Sequence, residues 1–225
     1  MKDGEGRDES KRLRIRRGLE NNFSRVWGYH IYRCTYEDDS RWARFLELWN
    51  EEIIQNLTKH DNLDLLSSMD MRIHEDKSTL DGAGADQVRE EFRKWLASED
   101  CAKESEGLLA TNYGTRYHKC IYIDKEALES IVAETPEAAL VPAPGKRVPY
   151  YHMVDVYWGA PIPGPMGEEI TKGDEEYDEE DDESWPGSMK ISLLGVLGHY
   201  ELLDDMENWY NMAKQLYMGD GIYIM

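Results

Sequence analysis

Three histidines lie on segments that the sequence predicts to be strands, where their side chains could support metal or acid–base chemistry. In each segment the alternating apolar neighbours are expected to point toward the helices. This phase places His30, His74 and His118 together on the opposite face of the sheet, with Cys34 and Cys120 in the same phase. Imidazole and thiolate groups are ligands that zinc and other late transition metals prefer.

The same positions are also expected for half-buried or surface histidines that bind no metal and take no part in catalysis. We favour this interpretation because the chain has no CxxC or Cys/His finger spacing. In the fourth predicted strand, His152 shares the phase of Val154 and Val156 and is expected to point into the core, away from the other three histidines. A metal or catalytic site at the three histidines is therefore the alternative hypothesis, and no cofactor is predicted.

Other candidate groups have simpler explanations. Asp124 and Asp155 could form an acid–base carboxylate pair. However, Asp124 is well placed to cap the helix that follows it, and Asp155 fits the polar side of its strand. Cys120 is interpreted as a small core residue. The sequence has no GxSxG, P-loop, dinucleotide-binding or HExxH motif, which favours a protein that is not an enzyme.

The strands and helices that would position these residues alternate along the chain. The predicted strands are 26–36, the second half of 63–76, 116–124, 150–158 and 189–197, and the predicted helices are 40–59, 86–98, 125–133 and 200–217. This order predicts an α+β fold with a ferredoxin-like antiparallel sheet, helices mainly on one face, and a C-terminal strand and helix. A parallel doubly wound sheet is the second choice, because its strands should be continuous apolar runs and these are amphipathic.

Composition divides the chain into four parts. Residues 1–25 are predicted to be a disordered polar tail, whose basic cluster (Lys11, Arg12, Arg14, Arg16, Arg17) we interpret as solvated rather than as a nuclear-localisation signal. Residues 26–158 form the predicted core. Residues 159–188 are a Pro/Gly-rich and acidic insertion, predicted to be disordered because its run from Gly173 to Ser184 contains nothing to bury. Residues 189–225 pack on the core.

The net charge of the chain and the length of its apolar runs restrict the classes of partner that it could bind. The net charge of −20 argues against nucleic acid or an anionic membrane surface, because phosphate binding requires clustered Lys and Arg. No apolar run approaches the roughly 20 residues that would span a bilayer, and we expect no signal peptide. Three cysteines make a poor disulfide framework, which indicates reduced thiols in the cytoplasm or nucleus.

Several motifs occur together in a recognisable order. They are Trp27 to Arg33 (WGYHIYR) followed by Trp42 to Phe45, Val88 to Trp95 (VREEFRKW), Arg116-Tyr117 with Cys120 to Asp124 (CIYID), and Val154 to Trp158 ahead of the acidic run. Over roughly residues 26 to 210 the chain resembles a broad group of uncharacterised proteins from filamentous fungi. The resemblance implies an intracellular fungal protein of unknown activity and supplies no catalytic residues.

The leading functional hypothesis is a non-catalytic protein-interaction or scaffold module. Its interface would be an open sheet face carrying Tyr32 and Tyr122, for a protein partner or for self-association, because exposed aromatic surface tends to be covered. The acidic run could contact basic proteins, although we favour a solubilising role for it. The alternative is an enzyme or a small-ligand or metal binder that uses the strand-borne His/Cys cluster or a pocket beneath the Pro-rich loop, 134–149.

Overall fold

The computed structural model describes residues 14–21, 23–106, 114–133, 148–158, 162–163, 169–170, 187–203, 208–209, 211–212 and 222–223. Lys11 and Arg12, most of the Pro-rich loop, the acidic run and most of the helix predicted at 200–217 lie outside these residues.

The described residues form the following elements in chain order: α1 (Arg14–Glu20), β1 (His30–Arg33), α2 (Asp39–Lys59), a 3-10 helix (Leu63–Ser68), β2 (Arg72–His74), α3 (Lys77–Leu80), α4 (Ala85–Leu96), α5 (Glu99–Ser105), α6 (Thr115–His118), β3 (Lys119–Ile123), α7 (Lys125–Val132), β4 (Tyr150–Asp155), β5 (Ile162–Pro163), β6 (Glu169–Ile170), β7 (Ser188–Ser192), α8 (Val196–Leu202) and β8 (Ile222–Tyr223).

The main sheet is mixed, with the strand order β2-β1-β3-β4-β7-β8. β1 pairs in parallel with both β2 and β3, whereas β4 is antiparallel to both β3 and β7. β5 and β6 form a separate antiparallel pair. The predicted mixture of helices and strands is therefore confirmed. The ferredoxin-like antiparallel sheet is not confirmed, because three neighbouring strands run parallel.

One face of the sheet is covered by α2, α7 and α8. Asp38 is the N-cap residue of α2, and its carboxylate accepts hydrogen bonds from the backbone N–H groups of Ser40 and Arg41, both at 3.0 Å. The buried stripe of α2 packs against the sheet residues Ile31 and Ile121. That stripe consists of Trp42, Phe45, Leu48, Trp49, Ile53 and Leu57.

The opposite face is covered as well, by α3, α4 and α5. Val88 and Phe92 of α4 pack with Tyr32, Tyr122 and Val154 of the sheet in a second core cluster. The prediction of helices mainly on one face is therefore wrong. β1 and β3 are buried along their whole length, so the residues that made them look amphipathic are also inside the protein.

Two arginines of α4 hold the chain where the predicted insertion leaves and rejoins the sheet. Arg89 donates to the carbonyls of Asp155 and Gly187, both at 2.9 Å, and Arg93 donates to the carbonyl of Trp158 at 2.9 Å. A Cβ at Gly187 would lie 2.2 Å from Cγ of Trp158, so only glycine fits there. The two ends of the insertion are thus fixed next to each other.

Some segments expected to be irregular are helical. α1 falls within the predicted disordered tail and buries Ile15, and α5 lies between the predicted helix 86–98 and the predicted strand 116–124, where neither a helix nor a strand was expected. The strand predicted at 189–197 ends at Ser192, and α8 follows it. Within the described ranges, none of the helices has the length and apolar character needed to cross a membrane.

Candidate functional site

The structure brings together two of the three histidines singled out from the sequence. His30 on β1 and His74 on β2 lie on the same face of the sheet, and their atoms Nδ1 and Nε2 are 2.9 Å apart. The ring of His30 also packs against Phe92 and Trp95 of α4, with centroid distances of 5.1 and 3.8 Å. The two histidines therefore form a pair beneath a helix rather than a group on an open surface.

Burial keeps both imidazoles neutral. Burial, followed by the charges of Arg116, His74 and Arg72, lowers the pKa of His30 far below its usual value. Burial, followed by Arg72 and Arg116, lowers the pKa of His74 to about 4, against an opposing effect of Glu91. With both rings neutral, one nitrogen of the close pair donates a hydrogen bond and the other accepts it. The facing nitrogens of the pair are therefore satisfied without an ion, whereas Nε2 of His30 is buried without a hydrogen-bond partner among the described residues.

The remaining members of the predicted metal site are elsewhere or unreactive. His118 ends α6 and contacts the ring of Tyr157 edge-on at 5.3 Å. Cys34 and Cys120 are buried, and burial raises the pKa of the Cys34 thiol to about 12 and that of Cys120 further. Among the described residues, no group of three His, Cys, Asp or Glu side chains could hold a metal ion.

His152 lies on the same sheet face as His30, contrary to the prediction. It is the cross-strand partner of Tyr122 on β3, and the two rings stack at a centroid distance of 4.2 Å. Its Nε2 lies 3.0 Å from Oδ2 of Asp124. The error arose because Val154 and Val156 are indeed buried, but on the face covered by α4.

The two tyrosines expected on an open sheet face are buried. Tyr32 and Tyr122 are 2% and 7% exposed. Tyr32 stacks on His74 at 4.3 Å, and both tyrosines lie in the cluster beneath α4. They are not available as an interaction surface in this structure, because the helices that follow β2 cover that face.

The histidine pair predicts that stability falls as the solution becomes acidic. His30 and His74 have folded-state pKa values below the unfolded value of about 6.5. Between about pH 6.5 and pH 4 the unfolded state therefore binds more protons than the folded state. Their contribution is complete above about pH 6.5 and is lost as the pH falls, by up to about 1.4 kcal/mol per pH unit for each ring. Urea unfolding at pH 7.5, 6.5 and 5.5 measures this slope.

A variant of His74 and a matched control test whether the histidine pair causes the pH dependence of stability. His74→Gln retains a donor for His30 but cannot titrate, so the slope below pH 6.5 should decrease by up to about 1.4 kcal/mol per pH unit. Thr58→Gln, at an exposed position on α2, changes no titratable group and should leave the slope unchanged. Equal slopes for the wild type and His74→Gln would show that the pair does not titrate on unfolding.

The two predicted carboxylates have separate structural roles. Asp124 caps α7 as expected, accepting a hydrogen bond from the N–H of Ala127 at 2.8 Å. Asp155 is buried and forms an ion pair with Lys119, whose Nζ lies 3.2 Å from Oδ2. Burial lowers the pKa of Lys119, against the effect of Asp155. Sequence reasoning missed this pair because it depends on the register of β3 and β4.

A cavity of about 380 Å³ lies between α1, α8 and the segments that precede β1 and β3. Aromatic rings form part of its wall, namely Phe23, Trp27 and Tyr200. Trp27 and Tyr200 meet edge to face at 5.8 Å, and Nε1 of Trp27 donates to the carbonyl of Leu65 at 2.9 Å. The volume is within the range of small-molecule sites, which are typically apolar clefts with a few polar groups.

α1 forms the outer wall of the cavity and is held in place by polar contacts with Glu201 of α8 and with Asp64 of the 3-10 helix. The carboxylate of Glu201 accepts hydrogen bonds from the backbone N–H groups of Arg14 and Ile15. Arg16 is buried and donates to both carboxylate oxygens of Asp64, at 2.8 and 2.7 Å. Arg16 was predicted to belong to a solvated tail, and the apolar Ile15 and Leu19 beside it were the available signal for a packed helix.

Arg116 lines the inner side of the cavity and links it to the histidine region. Its guanidinium donates to Oε1 of Glu104 at 2.6 Å and to the carbonyls of Gly28 and Asp70 at 3.1 and 2.7 Å. Its other terminal nitrogen donates to both Asp70 and Glu104. All its donors are therefore occupied, and its role at the cavity wall is structural.

The fold and the cavity together define an α+β protein with a mixed sheet, helices on both sheet faces and a ligand-sized cavity beside the sheet. Comparison with known proteins finds no match to a family model, to a curated protein or to a solved structure. The function of the chain must therefore be argued from its own geometry.

Proposed function

We propose that this chain is a non-catalytic binding protein that holds a small planar molecule in the cavity beneath α1. The observation that carries this proposal is the cavity itself: about 380 Å³ of space bordered by Phe23, Trp27 and Tyr200, beside a sheet that is otherwise packed on both faces. Flat aromatic walls favour a flat ligand, because stacked and edge-to-face ring contacts give about 0.5–1.5 kcal/mol beyond the area that they bury.

Two other places were reasonable sites and support this proposal less well. Open α/β sheets usually bind ligands beyond the carboxyl ends of their strands. At that edge of β1, however, Arg33 is buried between the rings of Tyr36 and Trp42, 4.5 and 5.2 Å from their centroids. The histidine pair is closed by its own hydrogen bond and by α4. Neither place offers the space that the α1 cavity has.

The interaction module expected from the sequence shares the non-catalytic character of this proposal but not its surface. Tyr32 and Tyr122 are buried, so a protein partner would have to use a different region. The large apolar side chains that are strongly exposed in the described residues are Ile54 and Leu63, which are too few to define an interface. The proposed contact between the acidic run and basic proteins concerns residues outside those described.

The binding function is tested with N-phenyl-1-naphthylamine, a neutral planar probe whose fluorescence rises in apolar sites. We expect saturable binding of one probe per chain. Ser24 is half-buried in the cavity wall, so Ser24→Trp should fill the cavity and weaken binding at least about tenfold. Ser24→Phe introduces a smaller ring at the same position and should also weaken binding.

The matched control is Thr58→Trp, which adds an indole to the exposed face of α2 and should leave binding unchanged. Thermal unfolding of each variant checks that the fold is retained. The proposal is wrong if the wild-type chain does not bind the probe, or if binding is the same after Ser24→Trp and Ser24→Phe in chains that remain folded.

A further inference from the structure

We infer that the ligand of the α1 cavity is an anion, recognised by Arg14 and Arg17. This inference rests on the proposed binding function and adds the chemical class of the ligand. Both arginines line the cavity from α1, and both side chains are exposed to solvent. The ligand class that fits is a planar aromatic ring system carrying a carboxylate, sulfonate or phosphate group.

The first argument is that these two guanidinium groups are unused. Within the described part of the chain, neither Arg14 nor Arg17 makes a side-chain hydrogen bond or an ion pair. Every other described arginine makes one. These are Arg16, Arg25, Arg33, Arg41, Arg44, Arg72, Arg89, Arg93 and Arg116.

The second argument is the charge of the whole chain. Acidic residues number 46 against 26 basic ones, so carboxylates are abundant around any arginine. Arg14 and Arg17 lie three residues apart on one helix and line the same cavity, and neither is paired with a carboxylate of the described residues. A protein with a net charge of −20 repels anions at long range, so an anion site requires local positive charge of this kind.

Among the described residues that line the cavity, Glu201 carries the one opposing charge. Glu201 lines the cavity, but its carboxylate accepts the backbone N–H groups of Arg14 and Ile15. Arg116 also lines it, and its charge is balanced by Asp70 and Glu104. The positive charge available to a ligand is therefore that of Arg14 and Arg17. Guanidinium groups suit carboxylate and phosphate because their parallel N–H donors match two oxygens.

The test compares two probes that share one ring system. 8-Anilino-1-naphthalenesulfonate differs from N-phenyl-1-naphthylamine by its sulfonate group. We expect the sulfonate probe to bind about 10- to 100-fold more tightly, which corresponds to one or two charge-assisted hydrogen bonds. The double variant R14Q/R17Q should remove this difference, so that the ratio of the two affinities falls to near one.

R44Q is the matched control, because Arg44 is an exposed arginine of α2 that pairs with Glu47. It should not alter either affinity. Displacement of the sulfonate probe by 1-naphthoate and by 1-naphthyl phosphate then identifies the preferred anionic group, and failure of both to displace it counts against the inference.

The outcomes separate this inference from the binding function. Binding of neither probe contradicts the binding function itself. Equal affinity for the two probes, or a preference for the sulfonate that survives R14Q/R17Q, leaves the binding function in place and overturns the anion inference. Sulfonate binding that persists after Ser24→Trp would locate the probe outside the cavity and would also overturn it.

Discussion

Arg116→Leu is expected to lower the free energy of unfolding by about 3–5 kcal/mol, because it leaves a buried carboxylate without its partner. The Arg116 side chain is 1% exposed and Glu104 is 8% exposed. Glu104 also accepts a hydrogen bond from the hydroxyl of Tyr117 at 3.1 Å and forms an ion pair with Arg72 at 3.2 Å. These contacts remain in the variant, but they do not replace the two-pronged contact of the lost guanidinium. Urea unfolding at pH 7.5 measures the change.

Two further variants identify the cause of this loss. Arg116→Lys retains the charge but cannot reach five acceptors at once, so its loss should be intermediate. Adding Glu104→Gln to Arg116→Leu removes the stranded charge, and the double variant should be more stable than the sum of the single changes predicts, by at least about 1 kcal/mol. A loss below about 1 kcal/mol for Arg116→Leu would mean that the contacts of Arg116 do not hold the segments before β1 and β3 together.

The periodicity of the apolar residues correctly predicted the sheet face on which the side chains of β1 lie. It did not predict which sheet faces are covered by helices. The alternation in β1 correctly put His30 on the face opposite Ile31. His30 and Tyr32 were then interpreted as residues of an open face, because helices were expected mainly on the other face. In the structure they are buried beneath Phe92 and Trp95, where both rings stack on His74. Among the described residues, Nε2 of His30 and the hydroxyl of Tyr32 are buried without hydrogen-bond partners. Single-strand patterns cannot distinguish a half-exposed strand from a buried strand that carries aromatic polar residues.

The strand order explains why both faces are covered. The connection from β1 to β2 contains α2, and the connection from β2 to β3 returns across β1 and contains α4. Crossovers between parallel strands are almost always right-handed, so connections that move in opposite directions along the sheet place their helices on opposite faces. This handedness rule applies only to parallel strands, so a prediction of antiparallel pairing gives no information on which face each helix covers. The position of α4 could have been derived from the sequence only if the parallel order had been known.

The cavity could not be predicted, because its residues come from distant parts of the chain. Glu201 holds the start of α1 across a separation of 187 residues, and Thr115 donates to the carbonyl of Tyr200 at 2.8 Å across 85 residues. The spacing of residues within one segment gives no information about contacts between segments so far apart in the sequence. The basic cluster was visible in the sequence, but only the fold separates its members: Arg16 is buried against Asp64, whereas Arg14 and Arg17 line the cavity.

Trp49→Ala is expected to cost about 3–5 kcal/mol, because it removes the centre of the packing between α2 and the sheet. Trp49 is 1% exposed and lies among Tyr29, Phe45 and Tyr151, with centroid distances of 6.3, 5.7 and 5.2 Å. The backbone groups around it are fixed by α2 and by the sheet, so the structure has little freedom to close the resulting space. Urea unfolding at pH 7.5 measures the loss, and a value below about 0.5 kcal/mol would show that the buried face of α2 is wrongly assigned.

Trp49→Phe is the matched control and separates ring packing from the indole N–H. In the described residues, Nε1 of Trp49 is buried without a hydrogen-bond partner. An unpaired buried donor costs about 1–3 kcal/mol, so removing it offsets part of the packing lost when the indole becomes a phenyl ring. The net loss should therefore be less than about 1.5 kcal/mol, well below that of Trp49→Ala. A similar loss for both variants would mean that the N–H has a partner in solution, such as a buried water molecule, and that this hydrogen bond rather than the ring contacts makes Trp49 important.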